Sequence, residues 1–323
     1  MSNVYVNFNL EDDVVTGVNN KVTFPLLGST GSLGTFYTSS AQYVASGSTT
    51  YTSTIGKYYY DVYDINPVTS SAAIQFSIAY GHYNGGGALT TDYDYPTKAI
   101  YKAYKNLLTN DGNDRFIIDG TYVDDAIFIS FKRNKLREKL DPGNWQLNLV
   151  SGSFTSIYID DSQDGLNNSL TYADSYNIIS SSAPYEIAGK VYPQHGVLVF
   201  DCKKVKQFFT YNSGSTAYMQ NHEQFLKRMQ NGYFQARSME TISSTYYFVR
   251  VKNKEFNYSS NPTFYSGSNN NVLYDEYIND PKTYITSIGL YNENNELVAV
   301  SKLSQPIKKS FSNELTVQVR LDF

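Results

Sequence analysis

Alternation with a period of two residues is the feature that most limits what this chain can fold into. Ile74, Phe76, Ile78 and Tyr80 alternate with Gln75, Ser77 and Ala79, and Trp145, Leu147 and Leu149 alternate with Gln146 and Asn148. At the end Leu315, Val317, Val319, Leu321 and Phe323 alternate with Thr316, Gln318, Arg320 and Asp322. On a pleated strand this spacing puts the apolar set on one face and the polar set on the other, so each run is expected to be a half-buried antiparallel strand. Three further runs, Ala126 to Phe131, Val197 to Phe200 and Tyr246 to Val251, are apolar on both sides. They are expected to lie between two layers or between subunits.

Ser, Asn, Gly and Thr clusters at Ser46 to Thr54, Asn84 to Gly87 and Ser266 to Asn271 separate the runs, and no βαβ rhythm appears. Helical spacing occurs twice. After Pro96, the residues Ile100, Tyr104, Leu107 and Leu108 share a face, and Asn110 to Gly112 supplies a stop. From about Ala217 to Gln230, Met219, His222, Phe225, Leu226 and Met229 share another, closed by Asn231-Gly232. The expected class is mainly β: antiparallel β-sandwich or barrel-like domains with long loops and two short helices. The expected division is an N-terminal β-rich domain with one helix over 1–150, a loop-rich connector over 151–190 and a C-terminal β domain over 191–323.

Composition enters through tyrosine. There are 31 tyrosines, one tryptophan and 17% charged residues. A tyrosine joins an apolar ring to a polar tip, which suits half-buried sheets and wet interfaces. The net charge of -4 gives no global basic field, so no nucleic-acid partner is expected. The single cysteine, Cys202, rules out an intrachain disulfide and fits folding in a reducing cytoplasm. Met1 to Leu10 lacks a secretory layout, and no apolar run approaches the roughly 18 residues of a membrane span. A soluble protein with no membrane partner is expected.

Motifs for chemistry are weak. His82, His195 and His222 stand far from any nucleophile motif and are expected to be structural or surface residues. Asp160, Asp161, Asp164 and Glu240 are acids without a spacing that marks a glycosidase pair. Asp160 to Gly165 resembles half a calcium loop, but Thr171 occupies the twelfth position and a polar turn explains it better. Gly85-Gly86-Gly87 stands too far before Pro96 to cradle a phosphate. Cys202 lies seven residues from His195 and reads as a small structural residue. Neither an enzyme nor a cofactor is expected. The one dense basic stretch, Lys132 to Lys139, suits either a solvated loop or a partner contact through Lys132, Arg133 and Arg137.

Several segments carry a resemblance. They are Asp141-Pro142-Gly143-Asn144-Trp145, Tyr192 to Phe200, Ala236 to Phe264 with its Asn257-Tyr258-Ser259-Ser260-Asn261-Pro262 stretch, and Tyr284 to Phe311. They resemble a virion structural family of contractile-tailed, T-even-like phages, including those of marine cyanobacteria. The likeness covers about 125 to the C-terminus well and the first 120 residues more loosely. Ile285 to Tyr291, a polar turn and Glu296 to Val300 are also similar to a hairpin of tail-collar and fibre-attachment proteins. In this chain Asn294-Asn295 and Ser287 depart from that pattern.

The resemblance implies a structural subunit of a phage tail, a baseplate wedge component assembling with itself and with neighbouring tail proteins. Its place would be the virion, after assembly in the host cytoplasm. Phe248, Arg250, Phe256, Tyr258, Pro262 and Phe264 are then expected to serve fold or subunit contacts. The alternative is a tail-fibre or receptor-binding protein presenting Tyr and Asn loops to a host glycan.

Overall fold

The computed structural model describes residues 6–38, 59–67, 69–87, 96–162, 175–211, 221–259, 261, 263–266, 271–272 and 275–323. The chain is mainly β, with 51% strand and 14% helix and antiparallel pairing throughout the described ladders.

In chain order the first elements are α1 (Leu10–Asp13), β1 (Val14–Pro25), β2 (Ser32–Leu33), β3 (Tyr37–Thr38), β4 (Tyr59–Tyr63), β5 (Ile74–His82) and α2 (Pro96–Leu108). Next come β6 (Phe116–Ile118), β7 (Thr121–Val123), β8 (Asp125–Phe131), α3 (Arg133–Leu136), β9 (Lys139–Ser151) and β10 (Phe154–Asp160). They continue with β11 (Tyr176–Ser180), β12 (Ile187–Tyr192), β13 (Val197–Asp201), α4 (Asn221–Gln230) and β14 (Tyr233–Val251). The last are β15 (Tyr265–Ser266), β16 (Asn271–Val272), α5 (Glu276–Asn279), β17 (Lys282–Tyr291), β18 (Leu297–Ser310) and β19 (Leu315–Asp322).

Two compact units result: Lys21–Thr241, and a second formed by Met1–Asn20 with Ile242–Phe323. The expected boundaries at 150 and 190 both lie inside the larger unit. The stretch 151–190 supplies β10, β11 and part of β12 to its sheet. These strands are short, five to seven residues each, and show little strict alternation (Phe154-Thr155-Ser156-Ile157-Tyr158, Ile187-Ala188-Gly189-Lys190), so they read as loop in the sequence.

The larger unit is one curled sheet. Its strand order is β14-β9-β10-β11-β12-β13-β8-β5-β4-β3. The curl is visible in its rings: Phe234 on β14 lies 5.4 Å from Phe76 on β5 and 5.5 Å from Phe131 on β8, far along the same strand order. Trp145, Leu147 and Leu149 on β9 are buried, as the alternation requires, and Gln146 between them is exposed. The helix α4 adds Phe225, Leu226 and Met229 to the interior.

Two of the three two-sided runs are explained by layers; the third, Tyr246 to Val251, is half-buried through most of its length. On β8, Ile127, Ile129 and Phe131 belong to the inner cluster, while Ala126 and Phe128 belong to a second cluster with Tyr101 and Leu108 of α2. The strand β13 splits likewise, Leu198 and Phe200 inward and Val197 and Val199 outward. The turn before β13 needs Gly196, whose φ is +63°; a Cβ there would come within 2.8 Å of Leu136.

The two expected helices are α2 and α4, and three single-turn helices, α1, α3 and α5, join them among the described residues. The expected face of α2 holds at Ile100, Tyr104 and Leu108, which pack on the second cluster, and fails at Leu107, which is 54% exposed; the buried residues are Thr97, Tyr101, Lys105 and Leu108. Tyr101 takes the central place because its hydroxyl is satisfied twice, donating to the Val123 carbonyl and accepting from the Phe116 N–H at 2.9 Å. Buried Lys105 pairs with Asp111 at 2.5 Å. Of the expected α4 face, Met219 lies outside the described residues.

The smaller unit has little interior. Residues Ser244–Val251 of β14 pair with Leu315–Asp322 of β19, and β17 and β18 form a long hairpin. Asn292 closes that hairpin: its Oδ1 accepts from the N–H groups of Asn294 (3.0 Å) and Glu296 (2.8 Å). The core is Ile288, Leu290 and Val319, flanked by half-buried residues such as Phe8, Tyr247 and Val249. Its most buried hydrophobic side chain, Val319, is still 5% exposed.

A polar group compensates in part. Lys309 is fully buried, and its Nζ donates to the carbonyls of Asn253 (2.9 Å) and Ser310 (2.8 Å) and to Asn257 Oδ1 (3.1 Å). Burial pushes its pKa below the usual lysine range. Lys309→Met should destabilise the protein by about 1–3 kcal/mol, because three acceptors lose their donor, two of them in buried bonds. Urea unfolding checks this, with an unchanged midpoint as the contrary result.

Candidate functional site

The densest cluster of ionisable groups sits where β5, β8 and β13 end. The Tyr80 hydroxyl donates to Asp125 Oδ1 at 2.6 Å, and His82 Nε2 lies 3.7 Å from the same oxygen. His82 Nδ1 accepts two backbone N–H groups, from Asn84 (3.0 Å) and Gly86 (2.9 Å), so the Asn84-to-Gly87 turn folds around the imidazole. Cys202 lies at the end of β13, its N–H donating to the Asp125 carbonyl at 3.1 Å.

The electrostatics argue against a nucleophile here. Burial pushes the Cys202 thiol well up, and the carboxylates of Asp125 and Asp201 push it further. Burial also raises Asp201 and, with the Asp125 charge, Tyr80. The one imidazole nitrogen able to accept a proton is already engaged by backbone. The cluster satisfies buried polar groups and ties a turn to the sheet. Native Cys202 should therefore resist iodoacetamide at pH 8 and react once urea unfolds the chain; rapid alkylation of the folded protein would contradict the burial.

The other histidines lie elsewhere: His195 is exposed in the β12–β13 turn, and His222 is buried on α4 with its ring 5.2 Å from that of Tyr60. The acids of the half calcium loop are spent on structure. Asp160 accepts from the Gly143 N–H with both oxygens (3.0 and 2.9 Å), and Asp161 accepts from the N–H and Nδ2 of Asn177 (2.9 and 2.8 Å). Asp164, Gly165 and Thr171 lie outside the described residues. Among those described, no group of three or more His, Cys, Asp or Glu is placed to hold a metal ion. No described helix is long and apolar enough to cross a membrane.

The basic stretch forms α3 and its flanks. Lys132 is exposed. Arg133 donates to the carbonyls of Glu138 (3.1 Å) and Gln194 (3.2 Å). Arg137 pairs with Glu240 at 3.0 Å, and its guanidinium lies 3.5 Å from the centre of the Phe24 ring. Two of the three cations thus already have partners within their own unit.

In the smaller unit, Arg250 pairs with Asp13 at 2.8 Å and donates to the Asp12 carbonyl at 3.2 Å. Phe248 is half-buried on β14 opposite Gln318. Tyr258 meets Phe264 edge-on at 5.3 Å, and Phe264 stacks on Tyr277 at 5.6 Å. Phe256 has a φ of +54° and is 41% exposed. Pro262 lies outside the described residues. The structure therefore joins Tyr258 and Phe264 and leaves Phe248 and Arg250 on the sheet.

The most distinctive surface belongs to the β17–β18 hairpin. Val298 is 65% exposed, Val300 56%, Leu297 53% and Tyr284 57%. Nothing in the periodicity marked this, because alternation tells which residues share a face and not which face is covered. Sequence reasoning also missed Tyr80 and Asp125, which carry no spacing signal for the contact that joins them.

The fold and its surfaces define an antiparallel, mainly β protein with one well-filled unit and one thinly filled unit. No family model, curated protein or solved structure matches the chain.

Proposed function

We propose that the chain is a structural subunit of a phage contractile tail, a baseplate wedge component that assembles with itself and with neighbouring tail proteins. The observation that carries the reading is the contrast between its units. A thin core beside a hairpin whose turn end carries exposed Tyr291, Leu297, Val298 and Val300 is a surface suited to burial by another subunit, because clustered exposed apolar groups mark interaction sites. The buried, hydrogen-bonded state of the His82 and Cys202 neighbourhood supports assembly over catalysis. The resemblance of 125–323 to virion structural proteins supplies the kind of assembly. The protein would act in the virion after folding in the host cytoplasm.

The test is composition of the particle. Purified contractile-tailed particles from cells expressing this chain should yield its tryptic peptides in fixed ratio to the major tail proteins. Their absence from particles would overturn the reading.

A further inference from the structure

The ladder between β9 and β14 is interrupted at one place in the larger unit. Ala236 pairs with Trp145, and the next pair is Ser238 with Leu140. Asp141 to Asn144 on one strand and Arg237 on the other are thrown out of register, with Gly143 at a φ of +76°. A bulge of this kind re-aims the side chain it carries. Beside it lies a cleft of about 230 Å³, open to solvent, lined by Arg237, Trp145, Asn144, Gln146, Gln235 and Ser32 among others.

The lining is rich in donors and holds no carboxylate. Arg237 is half-buried and makes no ion pair among the described residues. Trp145 is 1% exposed, its side chain in the inner cluster on the strand face opposite Gln146. Gln146 Oε1 accepts from the Tyr233 hydroxyl at 3.1 Å, which leaves its amide N–H groups unspent. The nearby acid, Asp141, is taken by Lys21 at 2.5 Å and by Asn144 Nδ2 at 2.6 Å.

We propose that this cleft binds a glutamate or aspartate carboxylate in an extended segment of a neighbouring protein, with Arg237 as its cation. A guanidinium with convergent amide donors matches a carboxylate through charge-assisted hydrogen bonds. A sugar is disfavoured because Trp145 is the one aromatic residue in the lining and its ring faces are buried, so no platform is offered for stacking. That the segment belongs to a tail neighbour rests on the proposed function; the carboxylate chemistry does not.

Trp145 is the sole tryptophan and borders the cleft, so a change in its emission follows binding there. The purified full chain is titrated with an end-capped octapeptide of alternating Gly and Glu, with the same peptide carrying Gln, and with trigalacturonate. The Glu peptide should give a saturable change in emission. The Gln peptide should bind at least tenfold more weakly, and Arg237→Gln should weaken the Glu peptide at least tenfold. Gln235→Glu, which sets a carboxylate beside the cleft, should do the same while keeping the wild-type melting temperature, and covers the case in which the arginine variant misfolds. Equal affinity for Glu and Gln peptides, no loss in either folded variant, or binding of trigalacturonate in place of the peptide would overturn the proposal. Because the assay uses peptides and isolated protein, its failure leaves incorporation into particles as a separate result.

Discussion

Phe76→Ala is expected to cost about 3–5 kcal/mol of stability, the range for deleting a buried phenylalanine ring. Phe76 is fully buried and its ring lies 6.1 Å from Phe36, 6.3 Å from Phe131 and 5.4 Å from Phe234. All three contacts are edge-on pairs within the inner cluster, and the Phe234 contact joins strands far apart in the sheet order. Removing the ring therefore opens a cavity where the curled sheet faces itself, and three rings lose a partner that surrounding residues can replace only in part. Urea unfolding measures the loss. Phe154→Ala, at a side chain 58% exposed, is the comparison and should change stability by no more than about 0.5 kcal/mol. Similar small effects at both positions would mean that the sheet does not close over Phe76.

Val298→Lys combined with Val300→Lys is expected to leave the isolated protein's stability within about 0.5 kcal/mol per site, since both side chains are more than half exposed. The same pair of changes is expected to abolish incorporation into particles. A lysine at a covered interface must be desolvated, and an unpaired buried charge costs several kcal/mol, enough to outweigh a typical subunit contact. The two readouts separate folding from assembly. Full incorporation of the double variant would show that this hairpin is not covered by a neighbour.

Much of the larger unit was legible because its sequence states its faces directly. The alternation at Ile74 to Tyr80 and Trp145 to Leu149 gives β5 and β9, and the unbroken apolar runs at Ala126 to Phe131 and Val197 to Phe200 give strands covered on both sides. The face of α2 was misjudged at one edge only, because hydrophobicity alone favours Leu107 over Lys105. The fold buries Lys105 once Asp111 is available to pair with it. The strands β10 to β12 hid behind short length and weak alternation, since their burial is supplied by the sheet around them.

The site was less legible for a different reason. The basic residues stood out by charge, but Arg133 and Arg137 are held by partners 61 and 103 residues away, contacts that no local pattern encodes. Arg237 gave no signal at all. Its place in the cleft depends on a register shift set by Asp141 to Asn144 on another strand. The Pro142-Gly143 pair marks a turn, and a turn inside a ladder becomes a bulge only when the partner strand is known.

The account rests on a hairpin left for another protein to cover. A cryo-EM map of contractile-tailed particles, with this chain placed in it, tests that claim most directly. It should show the hairpin end bearing Tyr291, Leu297, Val298 and Val300 pressed against a second subunit. Particles in which the chain is present with that face in open solvent, or from which it is missing, would contradict it.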